Sequence, residues 1–348
     1  MTRLLLHRER CCILLYDFRN ERAPSRKEGV PPMRIPEHFD DFLLHEGRPL
    51  RAGVERHSGP VEPYLHLHEG IEVAILLEGA LDVGIGDSSL VAAPGDMWLS
   101  AMWEFHWHGT MPPVQRTAVV VWVLFLPEFI GDETLDGRSW MSLLTLPAAL
   151  RTGSASPQMR ELVLGIGREL RREVDDSPPA WETVVRADLL RLFALLSRNR
   201  QLGHWETAGR SVAPSALAAI MPALRMVQSR RSPRIAASEA AAACGFSRTR
   251  FDVLFRQVIG ISFGRFCQRA RLGFVASELR RTGATLEQIA ERAGFTDRSH
   301  LHHAFTKAYG YTPSAYRRLG SGTPVQAPEQ RSVPRRGPQG RSPHANWR

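Results

Sequence analysis

Between Ala240 and Pro313 the chain carries nearly the same pattern twice, and this repeat constrains its fold more than any other feature. AAAACGFSRTRFDVLFRQVIGISF (240–263) aligns with IAERAGFTDRSHLHHAFTKAYGYTP (289–313). Ala241 matches Ala290, Gly245 matches Gly294, Phe246 matches Phe295 and Ser247 matches Thr296. After a one-residue difference in the turn, Phe251 matches Leu301, Phe255 matches Phe305 and Gly260 matches Gly310. Two helices that cross steeply through a short turn need a small residue where they touch and a residue tolerant of φ > 0 in the turn. Ala241 and Ala290 meet the first need, and Gly245 and Gly294 the second. Ser247 and Thr296 are in place to cap the following helix, whose apolar residues recur at i, i+3, i+4 and i+7. The repeat predicts two helix-turn-helix units.

Charge is divided unevenly along the chain. From Pro214 to Arg348 there are 22 Lys and Arg against 7 Asp and Glu, whereas Met1 to Ala213 holds 23 against 29. A concentrated positive field suits a polyanion-binding surface, because each cation that neutralises a phosphate releases counterions. Charge alone also fits a basic domain kept soluble by its charge. The repeat lies in this basic part, which points to double-stranded DNA.

Helical geometry, at about 100° per residue, sorts the second helix of each unit into two faces. In the second copy Leu301, Ala304, Phe305 and Ala308 turn inward; Ser299, His302, His303 and Thr306 turn outward, flanked by Arg298 and His300. In the first copy Phe251, Leu254, Phe255 and Val258 turn inward; Thr249, Asp252, Val253 and Arg256 turn outward, flanked by Arg248 and Arg250. A helix held by its inner face to a basic domain has the geometry that enters a major groove. Arg298, His302 and His303 are candidate donors to guanine, Asp252 a candidate acceptor from cytosine, and Val253 or Thr249 candidate contacts to a thymine methyl. Lys307, Arg280, Arg281, Arg317 and Arg318 are candidate phosphate contacts. His300 and His303 lie about 60° apart on the helix, but no carboxylate or cysteine completes a metal set there. Base or phosphate contact, plain solvent exposure and, as the weakest, a shared metal ion are the readings open for HLHH.

Upstream, short β-prone runs (IEVAILLE, LDVGI, LVAA, MWLSAM, RTAVVVWVLFL) alternate with turn signals between Pro63 and Pro127, as in an antiparallel sandwich or barrel. PQMRELVLGIGRELRREV and AWETVVRADLLRLFALLSRNR follow at helical spacing, broken apart at Ser177–Pro179, and read as an antiparallel helix pair. The stripe Leu189, Leu192, Phe193 and Leu196 faces either the strand-rich part or a second subunit. Four cysteines at 11, 12, 244 and 267 form no CxxC spacing, which suits a reducing cytoplasm and offers no zinc finger. The apolar runs are too short for a membrane span, and no export signal is read at the N-terminus. Residues 1–32 read as a disordered or mis-started extension, with Met33 as a second start, and 320–348 as a disordered basic tail. Between them the expected parts are 33–150 (strand-rich), 155–202 (linker and dimerisation pair) and 214–319 (double helix-turn-helix).

TLEQIAERAGFTDRSHLHHAFTKAYGYTPSAYRR (285–318) closely resembles the second signature motif of the AraC/XylS family of bacterial transcription regulators, and FGRFCQRARLGFVASELRRTG, with Arg271, Ala276 and Leu279, resembles that family's connecting helix. The resemblance spans about Pro214 to Leu319. It implies two helix-turn-helix units on a rigid connecting helix, reading successive major-groove segments on one side of the duplex. The first copy departs from the family pattern at Asp252 and Val253, where members often carry longer hydrogen-bonding side chains.

More loosely, HLHEGIEVAILLEG (66–79) and APGD (93–96) with His106 resemble the two motifs of the family's cupin-like sensor domain. The implied architecture is multidomain: an N-terminal all-β cupin-like barrel, a helical linker pair and a C-terminal all-α double helix-turn-helix. The resemblance further implies a small-molecule effector held by His66, His68, Glu72, Trp98, His106 and His108. No metal or other cofactor is expected; in metal cupins the ligand set would be His66, His68, Glu72 and His106, or His108 in its place. Trp98, Trp103 and Trp107 read as pocket wall or as core. The expected function is a cytoplasmic, sequence-specific DNA-binding regulator without enzymatic activity, a homodimer with RNA polymerase among its partners. The alternative is a metal-dependent cupin enzyme with a helical accessory domain.

Overall fold

The computed structural model describes residues 44–45, 47–57, 64–66, 68–86, 88–109, 117–154, 156–198, 215–229, 234–309 and 311–319. The expected N-terminal extension and basic tail lie outside the described residues, as does the side chain of His66.

Eight strands form two antiparallel four-stranded sheets. The first is ordered β1 (Leu50–His57), β8 (Ala118–Phe125), β3 (Ile71–Gly79), β6 (Met97–Ser100); the second is β2 (Tyr64–His66), β7 (His106–Gly109), β4 (Leu81–Ile85), β5 (Ser88–Ala92). Every residue of β3 from Ile71 to Leu77 is buried, which explains why IEVAILL, Glu72 apart, is apolar throughout rather than alternating. Ala74, Leu76, Trp98 and Val120 face Leu81, Val83 and Ile85 across the gap between the sheets. On the other side of the first sheet, Val73, Ile75, Met97, Val121 and Val123 lie under helices.

Those helices are the expected pair, α2 (Pro157–Asp176) and α3 (Trp181–Ser197), which follow the single-turn α1 (Pro127–Ile130), the small hairpin β9 (Thr134–Leu135) and β10 (Arg138–Ser139), and two 3₁₀ turns at Trp140–Thr145 and Ala148–Leu150. Ser156 starts α2 by accepting from Met159 N (3.1 Å), with Pro157 at the first helical position. Gly167 lets α2 approach β3: a Cβ there would meet Leu77 and Ile75 at 2.8 and 3.0 Å. The stripe Leu189, Leu192, Phe193 and Leu196 is fully buried in the chain's own core, with Phe193 stacked on Trp140 at 5.1 Å. The stripe is therefore spent within one chain and is not the face a second subunit would use.

The helical part runs α4 (Ala216–Ser229), α5 (Ala237–Ala243), α6 (Arg248–Ile259), α7 (Phe263–Arg281), α8 (Leu286–Arg292), α9 (Arg298–Tyr309) and α10 (Pro313–Leu319). The repeat becomes α5–α6 and α8–α9 joined by α7. Gly245 and Gly294 hold φ of 71° and 69°, and Ala241 and Ala290 are buried between the paired helices. Phe251, Phe255, Phe263 and Phe266 pack edge to face or tilted around the first unit, each burial being worth roughly 1.5–3 kcal/mol. That cluster is continuous with Trp140 and Phe193, and Gly260 rests on Thr145, so the first unit is seated on the strand-rich part. The second unit has its own core of Ile289, Leu301, Phe305, Tyr309 and Tyr316.

Candidate functional site

The two reading helices present the surfaces that their spacing implied. On α6, Arg248, Thr249, Arg250, Val253 and Arg256 are exposed, while Phe251, Phe255 and Val258 are buried. On α9, Arg298, Ser299, His300, His302 and His303 are exposed, while Leu301, Ala304 and Phe305 are buried. Three side chains differ from expectation. Asp252 is half-buried and bound by Arg248 Nε at 2.6 Å, one turn earlier, so it buttresses a cation instead of standing alone before a base. Thr306 is half-buried and its hydroxyl is turned out of solvent. Arg317, assigned to phosphate, donates instead to Leu279 O (3.2 Å) and Ala284 O (2.6 Å), tying α10 to the end of α7.

The caps of the two units also differ. Ser247 caps α6 as expected, accepting from Arg250 N. In the second unit Asp297, not Thr296, caps the helix: its Oδ1 accepts from His300 N at 2.7 Å. The extra residue in the turn moves the hydroxyl one position too early, and Thr296 accepts from Arg234 instead (3.2 Å). Gly294 O receives Arg234 Nε (2.9 Å) and Arg271 Nη2 (2.8 Å), and Arg271 also donates to Ala293 O while its guanidinium lies 4.1 Å from the Phe295 ring centre. The connecting helix thus clamps the turn that aims α9. Burial, and then the charge of Arg234, lower the Arg271 pKa.

A second constellation lies between the sheets. His68, Glu72, Trp98, His106 and His108 are all buried there, and β2 places His66 in register with His106. His68 donates through Nδ1 to Gly70 O (3.1 Å) and His106 through Nδ1 to Glu104 O (2.9 Å), which leaves both Nε2 atoms facing Glu72 Oε2 at 3.1 and 3.5 Å. Burial alone would raise the Glu72 carboxyl, but the charge of His106 and hydrogen bonds from both rings hold it well below the usual carboxylate range. Burial would lower His106, and the charge and hydrogen bond of Glu72 outweigh it and raise that imidazole. A carboxylate facing two such rings demands a proton or a cation between them.

His108 belongs to a different group. With Glu55 and His57 of β1 it forms a second set whose ligand atoms lie within 4.8 Å of one another. Nothing beyond the alternation in GVERH pointed to β1, where Glu55 and His57 lie two residues apart and so share one face. Trp107 packs on the second helix-turn-helix core, and Trp103 packs against both that core and the main one.

The segment Ala101–Phe105, between β6 and β7, joins this interior to the helical part. Trp103, at φ 54°, donates its backbone N–H to His68 O (2.9 Å), and the Phe105 ring meets Tyr309 of α9 edge-on at 4.6 Å. Glu104 is locked to Arg151 by two bonds of 2.9 and 2.8 Å. Burial would raise this carboxyl, but the charge and hydrogen bonds of Arg151, followed by the charge of Arg269 on α7, hold it at about 2.

Residues 240–319 match a family model described as a helix-turn-helix domain. Over 260 residues the chain is 24% identical to the probable transcriptional regulator LumQ of Photobacterium leiognathi, covering 72% of this chain and 90% of LumQ. Over 61 residues it is 39% identical to an uncharacterized HTH-type transcriptional regulator of Mycobacterium tuberculosis, covering 18% of each chain. Among solved structures, unsaturated fatty acid bound ToxT of Vibrio cholerae superposes with a TM-score of 0.44 at 12% identity, over 80% of this chain and 98% of ToxT. With its paired units on one connecting helix, their exposed reading faces, the matched domain and relatives that are themselves regulators, the chain is a DNA-binding transcriptional regulator that carries a helix-turn-helix domain at residues 240–319.

Proposed function

We propose that DNA binding by this regulator is set by a small effector held between the two sheets. The observation that carries this reading is the Ala101–Phe105 segment, bonded to His68 and His106 at one side and packed on Tyr309 of the second reading helix at the other. A ligand that rearranges the imidazoles must move that segment or strain it, and Phe105 passes the change to α9. Coupling of this kind amounts to about 1–3 kcal/mol, or roughly 5–150-fold in affinity. In this reading α6 and α9 enter successive major-groove segments. Arg250, Thr249 and Val253 then contact bases from the first unit, and His302 and His303 from the second. Arg256, Lys307 and Arg318 lie toward phosphates. In this reading the protein acts beside DNA in the cytoplasm; no described helix is long and apolar enough to cross a membrane. A homodimer would use the outer faces of the helix pair, where Leu162 and Val184 are exposed, because the inner stripe is spent. RNA polymerase is the further partner this reading includes, and no cofactor or enzymatic step forms part of it.

The test uses genomic fragments retained by the full-length protein and fluorescence anisotropy on one of them. His106→Ala, a change in the sheet interior, is expected to shift affinity within the 5–150-fold range, and Phe105→Ala to remove that dependence. Unchanged affinity in a folded His106→Ala protein contradicts the coupling.

One observation favours a second reading, a metal-dependent enzyme. His68 Nε2, Glu72 and His106 Nε2 converge within 4.8 Å, a donor set that fits a divalent transition ion, which would supply Lewis-acid or redox chemistry when bound. Stoichiometric iron or manganese in the purified protein, with no genomic fragment retained, selects this reading over the first.

A further inference from the structure

We propose that Glu55, His57 and His108 form a divalent transition-metal site that clamps the two sheets together, with zinc as the reference ion. The proposal is independent of the effector reading and departs from the expectation of a metal-free sensor. Three observations carry it.

The first is the donor set: two imidazoles and one carboxylate, which suits zinc or ferrous iron and leaves coordination positions open. Glu55 Oε1 lies 3.4 Å from His57 Nε2, and Glu55 Oε2 lies 3.2 Å from His108 Nε2. Ligand atoms about 2.1 Å from a tetrahedral ion are separated by about 3.4 Å; each imidazole stands near that distance from one of the two Glu55 oxygens, and one ligand atom from each residue lies within 4.8 Å of the others. The ring centres of His57 and His108 are 5.7 Å apart at 65°, and two imidazoles bound through Nε2 to one tetrahedral ion place their centres about 5 Å apart.

The second is His57. Its Nε2 is buried with no hydrogen-bond partner among the described residues, beyond the long approach to Glu55. A buried imidazole nitrogen held to a carboxylate only by a 3.4 Å approach gains a closer partner when an ion sits between the two.

The third is access. The His57 and His108 side chains are 7% and 5% exposed, but that of Glu55 is 31% exposed, so the group reaches solvent on one side. The His68, Glu72 and His106 set is sealed by comparison, at 5%, 8% and 1%. An ion enters and leaves the Glu55 group without opening the sandwich. Because Glu55 and His57 come from β1 of one sheet and His108 from β7 of the other, the ion ties together two sheets that share no backbone pairing among the described residues.

The test is titration of chelator-treated full-length protein with Co²⁺, followed by its visible d–d absorption, with Zn²⁺ as competitor and thermal unfolding as a second readout. The expected result is one Co²⁺ per chain with tetrahedral bands, displaced by Zn²⁺, and a raised unfolding temperature. His57→Ala and the milder Glu55→Gln should each weaken binding at least 100-fold, whereas His68→Gln leaves it within a few-fold. Both affected variants should retain the wild-type circular dichroism and DNA binding. Binding that survives His57→Ala and Glu55→Gln, binding lost in His68→Gln alone, or no saturable binding by the wild type overturns the proposal.

Discussion

Asp252 and His303 show how much a residue's role depends on what lies one turn away. Asp252, read from sequence as an acceptor facing a base, is taken by Arg248 at 2.6 Å, so the pair presents a steadied guanidinium in place of a carboxylate. No comparable partner holds His303 among the contacts of the described residues, and it stays exposed on the reading face. His303→Ala should relax preference at one position of the site by about 1–3 kcal/mol, read by anisotropy across single-base variants of the site. Uniform weakening across every sequence would instead make it a phosphate contact. Gly294, at φ 69°, has its carbonyl held by two arginines, and a Cβ there would meet Arg234 Cγ at 3.2 Å. Gly294→Ala should cost about 1–2 kcal/mol in urea unfolding, and weaken DNA binding further because it changes the aim of α9.

At the scale of elements, the repeat made both helix-turn-helix units readable without the structure, since a small residue, a turn glycine and an apolar stripe are local requirements. The one-residue difference in the turn was visible too, but its consequence was not: whether Thr296 or Asp297 caps α9 depends on which side chain ends beside the first free N–H groups. Asp297→Ala should therefore destabilise by about 1 kcal/mol, and Thr296→Ala by much less, with thermal unfolding separating the two. The β-rich half was legible as alternating runs and turns, and His68, Glu72 and His106 were legible through a family motif. Glu55 and His57 were not, because a two-residue alternation in one strand does not say which strand of the other sheet it will face. The burial of Leu189, Leu192, Phe193 and Leu196 was equally out of reach, for an apolar stripe looks the same whether a sheet or a second chain covers it.

At the scale of the whole molecule, both helix-turn-helix units meet the strand-rich part, the first through Gly260 against Thr145 and the second through Tyr309 against Phe105. Glu104 and Arg151 brace the second junction from inside, both nearly out of solvent. Arg151→Met strands the Glu104 charge and should cost roughly 3–5 kcal/mol. Glu104→Gln with Arg151→Met should recover much of that loss, as denaturant midpoints would show. What the two junctions leave open is the reading face itself, with Thr249, Arg250 and Val253 of α6 and Ser299, His302 and His303 of α9 exposed. The central claim, that these helices read DNA together, is tested most directly by hydroxyl-radical footprinting on a genomic fragment selected by the full-length protein. The account predicts two protected segments on one side of the duplex, about one helical turn apart (roughly 10 base pairs). One segment should vanish with Thr249→Ala and Val253→Ala, and the other with His302→Ala and His303→Ala. A single undivided footprint, or protection that survives all four substitutions in a folded protein, would contradict it.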